Sequence, residues 1–215
     1  MEGTKALAKT LRGYALAARA LGTPHTLHRP SGPTDPLSTP ALATIPFVVD
    51  ANNLGFTKAQ KRSEVTYTGV WDASLTRPGD YLVAEADGTS WAVASQDPLL
   101  PLTAYRCDRV ISITRDGPRP LGVSTGYGGE GQASTPVLTG YPASMTMRGA
   151  SGGDGGIGLP GDVPGSGALV MLPAVPGILL RPSDILTDDL GRRWRLDRAE
   201  LSPAGWRLIV VEAQP

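Results

Sequence analysis

The chain has 215 residues, with 20 Lys plus Arg against 20 Asp plus Glu, so it presents no net field to recruit nucleic acid or an anionic membrane. Aromatics make up only 6%, while 27 glycines and 20 prolines disfavour a helical bundle and favour turns and extended arms. The length suits one large domain or two small ones, and the single Cys107 excludes an intramolecular disulfide and fits a reducing compartment.

Residues 1–22 form the first predicted segment, an amphipathic helix over 4–22. Leu7, Leu11, Tyr14, Ala18 and Leu21 recur at spacings of three and four and make one apolar seam. Thr4 is the expected N-cap, Gly22 the expected left-handed terminator, and Pro24 forbids continuation. The seam has three readings, of which binding to a membrane surface is the weakest because the seam is Ala-rich and carries no Trp or Phe anchor. Otherwise it docks on its own domain, or it packs against a neighbouring subunit; the last makes these five residues subunit-interface candidates.

Residues 23–46 carry Pro24, Pro30, Pro33, Pro36, Pro40 and Pro46, a density that predicts an extended arm rather than helix or central strand. Laid across a neighbour, such an arm loses little entropy, which adds Pro30, Pro33 and Pro36 to the interface candidates.

A first β-module is predicted over 47–116. It contains a strand at 66–71, a tight turn at Arg77-Pro78-Gly79-Asp80, a hairpin around Asp87-Gly88, and a closing strand at 109–114. More than half of the glycines fall in 117–167. They predict a Gly-rich linker at 117–135 and a Gly-rich loop at 149–167, around one strand-like run at 137–147 whose odd positions are semi-apolar. A second β-module occupies 136–215.

The two modules repeat each other. Arg77-Pro78-Gly79-Asp80-Tyr81-Leu82, then Gly88 and Trp91, is echoed by Arg181-Pro182-Ser183-Asp184-Ile185-Leu186, then Gly191 and Trp194, with one residue fewer in the second turn. The matched residues form turns and cores. Asp80 and Asp184 are expected to bond backbone N–H groups in their turns, and Trp91 and Trp194 to pack inside. The fold expected is therefore mainly β: two small antiparallel barrels or sandwiches related by an internal repeat, plus an N-terminal helix and extended arms.

Residues that could carry chemistry do not assemble into a reactive set. His25 and His28 both sit in the Pro-rich arm, too few to hold a metal without further ligands. No Gly-x-Ser-x-Gly elbow occurs, and the glycine spacing at 126–131 follows no βαβ unit. The acidic clusters around Asp80 and Asp184 flank equivalent turns, which points to a structural task over acid–base work. No stretch approaches the ~20 apolar residues of a membrane span, and no signal-peptide core opens the chain. The expectation is a soluble, unsecreted protein that is not an enzyme and has no catalytic residue, metal or cofactor.

The helix ending in Leu21-Gly22-Thr23-Pro24, the run His28-Arg29-Pro30-Ser31-Gly32-Pro33, and Arg77 to Val83 resemble tailed-bacteriophage virion proteins. So do Pro98-Leu99-Leu100-Pro101, Tyr105 to Val110, Asp184 to Trp194, and Gly205-Trp206-Arg207-Leu208. The module is similar to the head-completion and head–tail joining class, although the tandem duplication departs from that class's single barrel. The resemblance implies a virion structural protein assembled in the host bacterial cytoplasm. It would form a homo-oligomeric connector, neck or tail ring with portal, adaptor or tail proteins as neighbours, and DNA would meet it only by passing through a lumen. The alternative is a tail-tip or baseplate module that binds a host receptor or glycan, with tryptophans such as Trp206 and the Gly-rich loops as contact surface.

Overall fold

Short strands of alternating burial, each bounded by a Gly, Pro or Asp turn, close into barrels because closure leaves no unpaired edge. The computed structural model describes residues 2–50, 66–97, 100–117, 134–148 and 167–213, and these contain two closed six-stranded antiparallel barrels. The first is built from β1 (Thr23–His28), β2 (Ala43–Asp50), β3 (Thr66–Trp71), β4 (Tyr81–Ala84), β5 (Ser90–Ser95) and β6 (Leu102–Cys107). The second is built from β7 (Arg109–Asp116), β8 (Ser134–Arg148), β9 (Gly167–Leu172), β10 (Ile185–Asp188), β11 (Arg193–Ser202) and β12 (Gly205–Glu212).

Within each barrel two three-stranded meanders face each other. The first runs β1-β2-β3, the second β4-β5-β6, and closure comes from pairing β4 with β1 and β6 with β3. The second barrel repeats this with β10 on β7 and β12 on β9. Every strand therefore has a counterpart six strands later. The duplication read from two turns and two tryptophans extends to the whole topology.

The module boundaries differ from those expected. Arg109–Asp116 does not close the first module; it is β7, which opens the second barrel. Only Asp108 separates it from β6, so no linker composition marks the junction. The first barrel reaches back into the Pro-rich segment, whose ends are β1 and the start of β2. Pro24 and Pro46 lie opposite each other in that ladder. The Pro24 carbonyl accepts from Glu85 N on the side away from β2, so the two prolines form a non-hydrogen-bonded pair and cost the pairing nothing. Of the expected linker at 117–135 and Gly-rich loop at 149–167, residues 118–133 and 149–166 lie outside the described residues.

In β8 the expected odd-position face is not maintained along the strand: residues 141–145 are buried at both parities and Met147 is 50% exposed. Leu138 is buried before Gly140, and Tyr141, Ala143 and Met145 after it. Gly140 has φ 72°, and the pairing with β7 slips there, from Ile111 opposite Tyr141 to Ile113 opposite Leu138. A bulge of this kind changes which parity faces inward.

The helix α1 runs over Glu2–Leu21, starting before Thr4, which is therefore not its N-cap. It lies on β2 and β3 of the first barrel. Gly22 shows no left-handed φ. A Cβ at Gly22 would lie 2.6 Å from Ala18 O and 2.8 Å from Phe47 N, so glycine is needed for close approach.

The interior divides into two clusters. Leu27, Ile45, Phe47, Trp71, Leu82, Val93, Leu102 and Ala104 fill the first barrel. The other cluster fills the second barrel and continues through the seam between barrels, taking Tyr81, Ala92, Ala94, Tyr105 and Cys107 from β4, β5 and β6. Those strands are buried on both faces, which fuses the barrels. Each large side chain buried in the seam contributes about 1.5–3 kcal/mol, and that gain is lost if the barrels part.

Candidate functional site

The helix seam and the arm are used within the chain. Leu7, Leu11 and Tyr14 are half-buried and Ala18 is fully buried, with Tyr14 packed against the first core. Leu21 is 70% exposed. The segment between β1 and β2 crosses to the second barrel. The Pro33 carbonyl accepts from Thr139 N at 2.8 Å, the Tyr141 hydroxyl donates to Gly32 O, and Leu37 packs on the second cluster. Pro30 and Pro36 are buried there and Pro33 is exposed. Two of the three prolines are thus covered by their own chain, while Pro33 and Leu21 stay exposed. A short 3-10 turn, Pro36–Ser38, fixes the strap, with Asp35 Oδ1 accepting from Leu37 N at 2.8 Å.

Asp80 and Asp184 each organise the same device. Asp80 is fully buried, accepts from Arg77 N at 2.9 Å, and takes both Nε and a terminal nitrogen of Arg29 at 2.8 and 2.7 Å. Asp184 accepts from Arg181 N at 2.8 Å and takes Arg115 in the same bidentate way at 2.6 and 2.8 Å. Each arginine also donates to a leucine carbonyl of its own crossover, Leu75 or Leu179. The hydrogen bond to the aspartate raises the pKa of both guanidinium groups, which locks their charge. Arg29 follows β1 and Arg115 lies near the end of β7, so each clasp ties the first strand of its barrel to the turn before the fourth. The arginines escaped the sequence comparison because they lie 51 and 69 residues from their aspartates.

Gly79 takes φ 96° in the first turn, and Ser183 holds the equivalent place at φ 75°. Gly88 and Gly191, with φ 71° and 77°, close the equivalent hairpins. His25 is buried with Nδ1 2.9 Å from Thr23 O, and His28 Nδ1 lies 3.1 Å from Thr39 O. Among the described residues no group of three or more His, Cys, Asp or Glu is placed to hold a metal ion. Cys107 is buried, and that burial pushes its thiol far above the ordinary range, with Asp108 adding to the effect.

The hairpins and tryptophans differ between the two copies. In the second barrel Asp188 accepts from Leu190 N, Arg192 N and Arg192 Nε, the last at 2.8 Å. Its Oδ2 also lies 3.4 Å from Trp194 Nε1. Burial alone would raise the pKa of this carboxyl, but the bonds from Arg192 and Trp194 outweigh it and hold the carboxyl low. Arg192 sits over the Trp194 ring, 5.2 Å from its centroid. Trp194 is fully buried beneath this cover.

In the first barrel the residues matching Asp188 and Arg192 are Ala84 and Thr89, neither of which can build that cover. Trp91 is left half-buried above Phe47, with ring centroids 5.7 Å apart, and meets Tyr67 edge-on at 5.4 Å. A groove of about 470 Å³ opens at this barrel mouth, with Leu21, Phe47 and Trp91 as its apolar wall, His25 beside them, and Asp87 and Arg106 at its rim. Trp71, Trp194 and Trp206 are buried, so Trp206 offers no contact surface.

No helix among the described residues is long and apolar enough to cross a membrane. No family model, curated protein or solved structure matches the chain.

Proposed function

We propose that this chain is a structural assembly protein of a tailed-bacteriophage particle, a head–tail connector or neck-ring component that acts through surface contacts. The observation that carries the reading is a repeated apolar contact point. Leu75 and Leu179 occupy the same place in the two barrels and are 49% and 55% exposed. Their carbonyls are held by Arg29 and Arg115, so each clasp presents its leucine from a fixed backbone. Isolated exposed leucines are ordinary on protein surfaces, but the same rigidly mounted leucine on both halves of a duplication suits a repeated contact. Head-to-tail contacts of this kind close into rings when the rotation between subunits permits. Balanced charge suits a lumen through which DNA slides, because a basic wall would grip phosphate.

Relative to the sequence-based expectation, the contact surface moves from the helix seam and arm to the crossover leucines. Electron microscopy and mass photometry of the purified chain test this. The expected result is closed rings of one subunit number that are lost in the Leu75→Asp/Leu179→Asp double variant without loss of the fold. A chain that is monomeric at every concentration would contradict it, as would rings indifferent to both substitutions.

A further inference from the structure

The internal duplication supplies its own control for the groove at the first barrel's mouth. One sequence position carries a tryptophan in both barrels, and the second barrel seals it with a guanidinium held by a buried carboxylate. The first barrel keeps the tryptophan and lacks both sealing residues. Trp91 Nε1 has no hydrogen-bond partner among the described residues, whereas Trp194 Nε1 is turned toward Asp188. A partly buried indole tilted at 54° against Phe47 is retained apolar surface that the fold itself leaves uncovered.

The rim narrows the chemistry of an occupant. Asp87 is fully exposed, and its carboxyl is held low by the backbone N–H and then the side chain of Thr89, with Arg106 contributing. Arg106 is exposed and makes no ion pair among the described residues. One carboxylate and one guanidinium facing a single mouth favour neither an anion nor a cation. Together they offer acceptors and donors around an aromatic wall. That combination fits a neutral ring with an apolar C–H face and a hydroxyl edge.

We propose that the Trp91 mouth is a saccharide-binding site, in which a neutral hexopyranose unit stacks its C–H face on Trp91 and directs its hydroxyls to Asp87 and Arg106. The site does not depend on the assembly reading, since it belongs to one barrel of one chain. The volume of about 470 Å³ lies within the range of small-ligand pockets.

The test is a titration of the ¹⁵N-labelled full chain with methyl glucoside, methyl galactoside, methyl mannoside and diacetylchitobiose. The readout is the Trp91 indole N–H resonance, identified by its loss in Trp91→Phe. The expected result is a saturable shift of that resonance by at least one sugar, with the other indoles unmoved. A second variant, Ala84→Asp/Thr89→Arg, transplants the seal of the second barrel. It should keep the fold, by its amide spectrum, and weaken binding by about tenfold or more. No saturable shift with any of the four sugars would overturn the proposal, as would binding unchanged in the sealed variant. If the transplant instead abolishes self-association while no sugar binds, the mouth is a contact between copies and the saccharide assignment fails.

Discussion

Gly22 shows how a residue can be correctly singled out for the wrong reason. Its position after a periodic apolar run suggested a left-handed cap, but the structure needs it because helix and barrel approach within Cβ distance of two backbones. Replacement with alanine should therefore cost about 1–3 kcal/mol in urea denaturation, through overpacking rather than dihedral strain. Ser183 is the opposite case. It holds φ 75° where the first copy uses Gly79, so Ser183→Gly should stabilise the chain by up to about 1 kcal/mol, as left-handed strain is relieved against added unfolded-state freedom. Asp188 gives a pH signature. Its carboxyl is held low in the fold, so its stabilisation is complete above the ordinary carboxylate range and is lost progressively as pH falls through that range to the lower folded-state value. Asp188→Asn should flatten the acid limb of stability against pH; an unchanged limb would remove Asp188 from the account.

At the scale of elements, the most legible parts of the chain were turns and hairpins, because Gly, Pro and Asp specify them locally. The Arg-Pro-Gly-Asp turn, the Asp87-Gly88 hairpin and the alternation of Trp194 and Leu196 all appear as read. What sequence could not show was which strands share a barrel. Pro24 masks β1, and a single residue between β6 and β7 leaves no sequence mark of the junction between modules. The helix seam was visible as a pattern, but a pattern does not reveal whether its partner surface is in cis or in trans. The seam between barrels was also invisible. It joins Tyr81, Tyr105 and Tyr141, whose hydroxyls behave differently: burial raises the pKa of all three, that of Tyr141 to about 12. Tyr81 donates to Pro142 O at 2.7 Å, whereas the Tyr105 hydroxyl is buried with no partner among the described residues. Tyr81→Phe should thus cost about 1–2 kcal/mol and leave a carbonyl unsatisfied, while Tyr105→Phe should be neutral or mildly stabilising. Thermal melts of the two variants distinguish them; equal losses would contradict the seam as described.

For the whole molecule, duplication has produced two barrels with one topology and two fates. The second barrel is sealed by Asp188 and Arg192, covered by the strap from the first, and continuous with the shared seam. The first carries the helix and the open Trp91 mouth. The sequence repeat announced the copying but gave no hint of the mouth, because the decisive differences are Ala84 and Thr89, two ordinary hairpin residues. The assembly proposal requires the two barrels to move as one body: repeated leucines can form a regular contact only if their separation is fixed.

Native-state hydrogen exchange tests that requirement most directly. Amides of β3 and β6 in the first barrel and of β9 and β12 in the second should share one opening free energy equal to that of global unfolding. Exchange of either barrel through its own lower-energy opening, with the other still protected, would show two separable domains and contradict the fused body described here.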